Sequence, residues 1–250
     1  MTTARRLTLS DIGQALNAGV KDFLRAPAFG LFFSAFYVLA GVVLITLKAG
    51  SFTWTLFLSL GFPLVAPFAA VGLYEISRRL EAGEPFTWSS ILGVVWNQRG
   101  AQTPYIGALL VVIFLFWSFF AHMSFALFLG NMSLTNISTS WEVFMTPTGL
   151  SMLAFQFVAG GIVAVLTFAM TVVSLPLLLD RDIDFITAML TSLKAFAAHW
   201  PVLLVWGACI GALVFLALIP MFIGLLVVLP VLGHATWHLY TRIRPSLNGS

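Results

Sequence analysis

His234 and His238 stand four residues apart in GHATWHLY (233–240), a spacing that puts both imidazoles on one face of a helix. Such a pair can ligate a metal with help from a third group, pass a proton, or sit as cations against the negative end of a helix. Charged residues recur at related places. Glu75 follows Pro67 by eight residues, Asp184 follows Pro176 by eight, and His238 follows Pro230 by eight. Asp180 and His234 come four residues after the last two prolines, with Arg78, Arg79 and Arg181 nearby. These eight residues are expected to form a polar cluster at the cytoplasmic mouth of a helix bundle. The cluster admits three readings: a metal site, a proton or substrate path, and arginines pairing with acids at helix ends. Only His234 and His238 are candidate metal ligands, and spacing fixes no third, so no cofactor is expected.

The other polar residues within apolar stretches read more simply. His122, in WSFFAHMSFALF, needs a hydrogen-bond partner such as a Ser, a Thr or a carbonyl. His199 borders an apolar stretch beside Trp200 and reads as interfacial. A single cysteine, Cys209, excludes an intrachain disulfide and a multi-cysteine metal cluster. There is no G-x-S-x-G, H-E-x-x-H, phosphate loop or dinucleotide fingerprint, and no basic aromatic surface of the kind that binds nucleic acid.

The elements that must position these residues are membrane helices. Hydrophobic residues make up 60% of the chain and charged ones 8%, where a soluble domain would be about one-quarter charged. The chain is therefore expected to be a single all-α integral membrane domain over 1–250, a polytopic bundle in contact with the lipid bilayer. Arg5 and Arg6 lead into a polar stretch rather than a short apolar core, so the first span is expected to insert uncleaved. Four spans read directly: Pro27–Leu47, Phe52–Tyr74, Pro104–Leu129 and Thr148–Leu179. The stretch Pro201–Tyr240 has no Asp, Glu, Lys or Arg and would make a helix of about 60 Å, twice a hydrocarbon core of ~30 Å. With Pro220 in its middle, it reads as two spans, Val202–Ile219 and Met221–Tyr240, joined by a tight turn. One long kinked helix is the alternative.

Six spans place Arg5, Arg6, Lys21, Arg25, Arg78, Arg79, Arg99, Arg181, Lys194, Arg242 and Arg244 on one side, and only Lys48 on the other. That asymmetry predicts both termini in the cytoplasm. The longest opposite loop, 130–147, has no Lys or Arg, carries N-x-S sequons at Asn131 and Asn136, and offers Trp141 to the interface.

Between the spans lie three segments with helical apolar spacing. They place Ile12, Leu16, Val20 and Phe23/Leu24, then Trp88, Ile91, Leu92, Val95 and Trp96, then Ile186, Met189, Leu190, Leu193 and Ala197 on one face each. Each precedes a proline at the mouth of the next span: Pro27, Pro104, Pro201. Thr8 with Asp11 predicts a capping box, with Leu7 and Ile12 as its staple. The chain thus reads as a pseudo-threefold repeat of amphipathic helix plus transmembrane hairpin, over about 8–80, 86–180 and 185–242. The three amphipathic helices would lie at the cytoplasmic surface. Gly160-Gly161 and Gly207-x-x-x-Gly211 are small-residue faces for close helix contact.

The segments APFAAVGLYEISRRLEAGEP (66–85), SLPLLLDRDIDFITAMLTS (174–192) and LLVVLPVLGHATWHLY (225–240) resemble a family of bacterial integral membrane proteins defined as a domain of unknown function and found largely in proteobacteria. With the spans between them, the resemblance covers nearly the whole chain. It implies the bacterial inner membrane and no particular activity. The expected role is a non-enzymatic accessory or assembly subunit of a larger membrane complex, a respiratory one among the options, with other membrane subunits as partners. A small-solute transporter or channel, and a metal- or haem-binding membrane protein, are the alternatives.

Overall fold

The computed structural model describes residues 6–46, 61–130 and 141–249. Arg5, Lys48, the first part of the second expected span, both sequons and the Trp141 side chain lie outside what it describes. Within it the chain is all-helical: α1 (Leu9–Arg25), α2 (Pro27–Thr46), α3 (Gly61–Ala82), α4 (Trp88–Gln98), α5 (Thr103–Leu129), α6 (Pro147–Thr171), α7 (Ser174–Asp180), α8 (Phe185–Leu218) and α9 (Leu225–Ile243).

The start of α1 is the expected capping box. Asp11 accepts from the Thr8 backbone N–H at 2.8 Å and from its hydroxyl at 2.7 Å. At Ala26 the chain bends by 100° into α2, so α1 lies across the direction of the bundle. Proline at the first position of α2 makes that corner inexpensive, because its missing N–H would have had no helical partner there.

By length and composition, α5, α6 with α7, and α8 can each cross a membrane, and the bent pair α1–α2 makes a fourth candidate. Against the six expected spans, α3 and α9 are the two whose described residues fall short. The expected span of α3 begins in residues outside those described, and both helices are set apart by their position. In α9, Leu232, His234, Ala235, Trp237, Leu239 and Tyr240 are buried, and in α3 the run Val71–Ser77 is. A helix sheathed by protein can carry polar groups that one bathed in lipid cannot.

Two breaks shape the rest. The stretch from Pro201 to Tyr240 is two helices, as the tight-turn reading expected. Met221 and Phe222 take left-handed φ values of 50° and 68°, and Gly224 comes so close to Ala217 that a Cβ would lie 2.7 Å from its Cα. Phe222 is anchored against Gly41 of α2, where a Cβ would meet its ring at 2.6 Å. The second break was not foreseen. The expected span Thr148–Leu179 is interrupted between α6 and α7, where Pro176 removes an N–H from the ladder. Ser192 of α8 bridges an earlier rung, accepting from Val173 N–H at 3.1 Å and donating to the Ala169 carbonyl at 2.7 Å.

The third amphipathic segment runs on into its span as α8, with a non-helical residue, His199, just before Pro201. The face that these segments turn to the protein overlaps the expected apolar one only in part. It holds Asp11, Ile12, Ala15, Gly19 and Asp22 in α1, Ile91 in α4, and Ala188, Ser192 and Ala195 in α8. Leu9, Val20, Leu24, Trp88, Leu92, Trp96, Ile186 and Leu190 stay exposed.

Candidate functional site

The charged end of the bundle is assembled where α1 and α3 pack on α9. Gly19 permits the approach, since a Cβ there would lie 2.5 Å from the Val231 carbonyl oxygen and 2.8 Å from the Ala235 nitrogen. Two ion pairs flank this contact. Arg242 donates to Asp11, which is fully buried, and His238 Nε2 lies 2.7 Å from Asp22 Oδ2.

From Asp22 a line of polar groups runs inward. The Ser77 hydroxyl bonds the Asp22 carboxylate, and its oxygen lies 2.8 Å from His234 Nδ1. Ser77 has a single proton, so it donates to only one of Asp22 and His234 Nδ1, and the tautomer of His234 decides which. The order is therefore His238–Asp22–Ser77–His234, across α9, α1, α3 and α9 again. Both Ser77 and His234 are fully buried, and the His234 ring also bonds the Leu73 backbone of α3. Burial opposes the charge on Asp22, but the hydrogen bonds from His238 and Ser77, with the charge of His238, hold its carboxyl below the ordinary value.

A serine, two histidines and an aspartate in contact suggest nucleophilic catalysis, yet the order is unsuitable. A catalytic histidine stands between nucleophile and acid, whereas here Ser77 stands between acid and histidine. With no exposed surface on Ser77, no substrate could reach its oxygen.

The other predicted residues divide among separate contacts. Glu75, fully buried, accepts from Arg78 Nε at 2.7 Å and its second nitrogen at 2.8 Å, and from Arg79 Nε at 2.6 Å. Burial pushes its carboxyl up, and the two arginines more than offset this and hold it below the ordinary range. Asp180 accepts from the Tyr240 hydroxyl at 2.7 Å and from Arg244 at 3.3 Å. Asp184 caps α8, accepting from the Thr187 N–H at 2.9 Å and hydroxyl at 2.6 Å, which hold its carboxyl low. Arg181 lies beside Asp180 and lines a cavity of about 260 Å³ with Gln98, Gln102 and Asp182.

The eight predicted residues thus share one end of the molecule without forming one cluster. His234 and His238 reach neither Glu75 nor Asp180. Among the described residues, no group of three or more His, Cys, Asp or Glu is placed to hold a metal ion. The residues that sequence reasoning passed over are Asp11, Asp22, Ser77 and Glu81, the last accepting from Trp237 Nε1 at 3.2 Å. A visible hint for two of them was the run Asp11, Ala15, Gly19, Asp22 along a single stripe of α1.

Comparison with known proteins gives one match. Residues 55–180, half of the chain, match the family described as "Predicted integral membrane protein (DUF2189)". The chain belongs to this family of integral membrane proteins of unknown function. None of the curated proteins and none of the solved structures compared with it matches significantly.

Proposed function

We propose that this member of the DUF2189 family is a non-enzymatic protein of the bacterial inner membrane that acts through helix contacts, as an accessory or assembly subunit of a larger membrane complex. One observation carries the reading. The acids at the charged end are taken up within the chain: Asp11 by Arg242, Asp22 by His238, Glu75 by Arg78 and Arg79, Asp180 by Tyr240 and Arg244. Meanwhile Ala208, Gly211 and Ala212 lie bare on the outer face of α8. In lipid, helices associate where small residues let backbones approach, so a bare small-residue face is what such a chain offers a partner. Isolation from native membranes in mild detergent tests this: other membrane subunits should co-purify, and a monodisperse lone chain would overturn it.

The same reading puts both termini in the cytoplasm, supported by the one-sided placement of Lys and Arg. Reporter fusions at either end should be active only as cytoplasmic reporters.

The line His238–Asp22–Ser77–His234 favours a second reading, passage of protons or a small solute. Liposomes containing the protein would then dissipate an imposed gradient, and a His234→Phe variant would not. Equal leak from both removes this reading.

A further inference from the structure

Arg6 and Lys194 differ from the basic residues of the charged end. Among the described residues, neither has a hydrogen bond or an ion pair, whereas Arg78, Arg79, Arg242 and Arg244 each have a carboxylate. They meet at the hinge before Pro201. One cavity of about 290 Å³ is lined by Arg6, Lys194, His199 and Ser246, and a neighbouring one of about 420 Å³ by Arg6, His199, Trp200 and Pro201. Arg6 and His199 line both.

His199 has a set polarity there. Its Nδ1 accepts the Leu7 backbone N–H at 3.3 Å, so the ring carries its proton on Nε2 as a further donor. Among the described residues no carboxylate lines either cavity, so none there neutralises the two cations or waits for an ammonium group. The place is also right for lipid. α8 changes here from an interfacial segment, with Ile186 and Leu190 exposed, to an apolar span, and Trp200 beside the hinge is 57% exposed. Tryptophan and basic side chains gather at the depth of the lipid phosphates.

We propose that the Arg6–Lys194–His199 cleft binds the phosphate of an anionic membrane phospholipid. Arg6 and Lys194 supply charge-assisted donors, His199 adds a third polar contact, and the acyl chains run down the apolar face of α8 past Val205, which is exposed. Anionic lipids are preferred over zwitterionic ones because the lining offers no carboxylate to a headgroup ammonium. This goes beyond the subunit reading above and stands without it.

The test is native mass spectrometry of the full-length protein in mild detergent, titrated with phosphatidylglycerol or phosphatidylcholine. The wild-type protein should hold one phosphatidylglycerol in clear preference. Arg6→Gln and Lys194→Gln should each weaken it about fivefold, and the pair about 25-fold, with phosphatidylcholine unchanged. Both positions are exposed, so the variants keep their melting temperature. Lys21→Gln, a basic change on exposed surface outside the cleft, should leave the preference intact. An equal loss in Lys21→Gln would mean diffuse attraction rather than a site, and overturn the proposal. Displacement of the lipid by millimolar inorganic phosphate would assign the cleft to a soluble anion and overturn it too.

Discussion

The seam between α1 and α9 and the hairpin of α5 and α6 solve one problem in two ways. Both join neighbouring helices through glycine and a polar contact. In the seam, Gly19 admits the α9 backbone and the polar contacts are ionic, Asp11 with Arg242 and Asp22 with His238. In the hairpin, Gly160 takes the edge of Trp117, and the polar contact is neutral: the Gln156 amide donates to Ser124 Oγ at 2.8 Å and to the Ala121 carbonyl at 3.2 Å. The difference follows from what surrounds each. The seam is closed by α2, α3 and α8, so charges there are shielded by protein. The most apolar window of α5 is only 11% buried, with Phe116, Phe119 and Leu127 facing outward. A charge there would face hydrocarbon at a cost of about 3 kcal/mol even on the mildest scale, while an amide satisfied by a neighbour does not.

The sharpest way to break the seam is to close the gap that admits it. Gly19→Leu would drive a side chain into the Val231 carbonyl and the Ala235 backbone, atoms that cannot turn aside. A loss of about 3 kcal/mol is expected from overpacking of this kind. It would be read from denaturant titration in detergent, where the variant should also lose the protection of the α1 amides from hydrogen exchange. Retained stability would mean that α1 rests on the bundle rather than being locked into it.

Removing a charge should come next. Asp22→Asn keeps the shape but removes the charge facing His238 and exchanges one of two acceptor oxygens for a donor, with an expected loss of about 1–3 kcal/mol. The same residue gives the seam a pH dependence. Asp22 and Glu75 are held below their ordinary values of 3.8 and 4.5, so the native state takes up their protons later than the unfolded chain does. Their contribution is complete above those values and is lost as the pH falls through the lowered native ones. Unfolding measured against pH should show this acid limb. That limb shrinks in Asp22→Asn while the share of Glu75 persists.

The two regions also differ in how far they could be read from residues alone. The amphipathic segments, the prolines before the spans and the Thr8–Asp11 cap are local features, set by spacing within a few residues. The rotation of α1 is not. Its apolar arc holds Ile12, Leu16, Val20 and Phe23/Leu24, yet besides Ile12 the helix buries Asp11, Ala15, Gly19 and Asp22 and leaves Val20 and Leu24 exposed. Backbone approach at small residues outweighs burial of leucine when lipid can cover the leucine equally well. Ser77 and His234 lie 157 residues apart, so their bond depends on where α3 and α9 come to rest. The eight-residue spacing after Pro67, Pro176 and Pro230 was legible but did not mark a common job. It leads to a buried acceptor for two arginines at Glu75, a helix cap at Asp184 and an interhelical pair at His238.

The hairpin should respond less to loss of its polar contact than the seam does. Gln156→Leu removes two hydrogen bonds but leaves Trp117 over Gly160 and the Phe120–Phe155 and Phe128–Phe155 ring contacts at 5.7 and 5.5 Å. Side-chain hydrogen bonds between membrane helices average about 0.6 kcal/mol, and the loss should be near that. A cost as large as that of Asp22→Asn would mean that neutral and ionic contacts hold this fold equally, and the contrast between the regions would fail.

The smallest effect on stability is expected at Gly211. Its neighbour one turn earlier, Gly207, is already filled: a Cβ there would sit 3.3 Å from the Phe168 ring. Around Gly211 nothing lies within 4 Å, and Ala208 and Ala212 beside it are exposed. Gly211→Leu should therefore change the unfolding free energy by no more than about 0.5 kcal/mol, as for surface positions generally. If the bare face of α8 is where another subunit approaches, the same variant should purify folded but alone from native membranes, because a leucine holds two backbones apart where glycine lets them touch. Normal stability with unchanged co-purification would remove this face from the proposal and leave lipid as its only neighbour. A large loss of stability would instead show that the face is packed against the chain's own residues, and the open side of the hairpin region would be smaller than α5, α6 and α8 leave it.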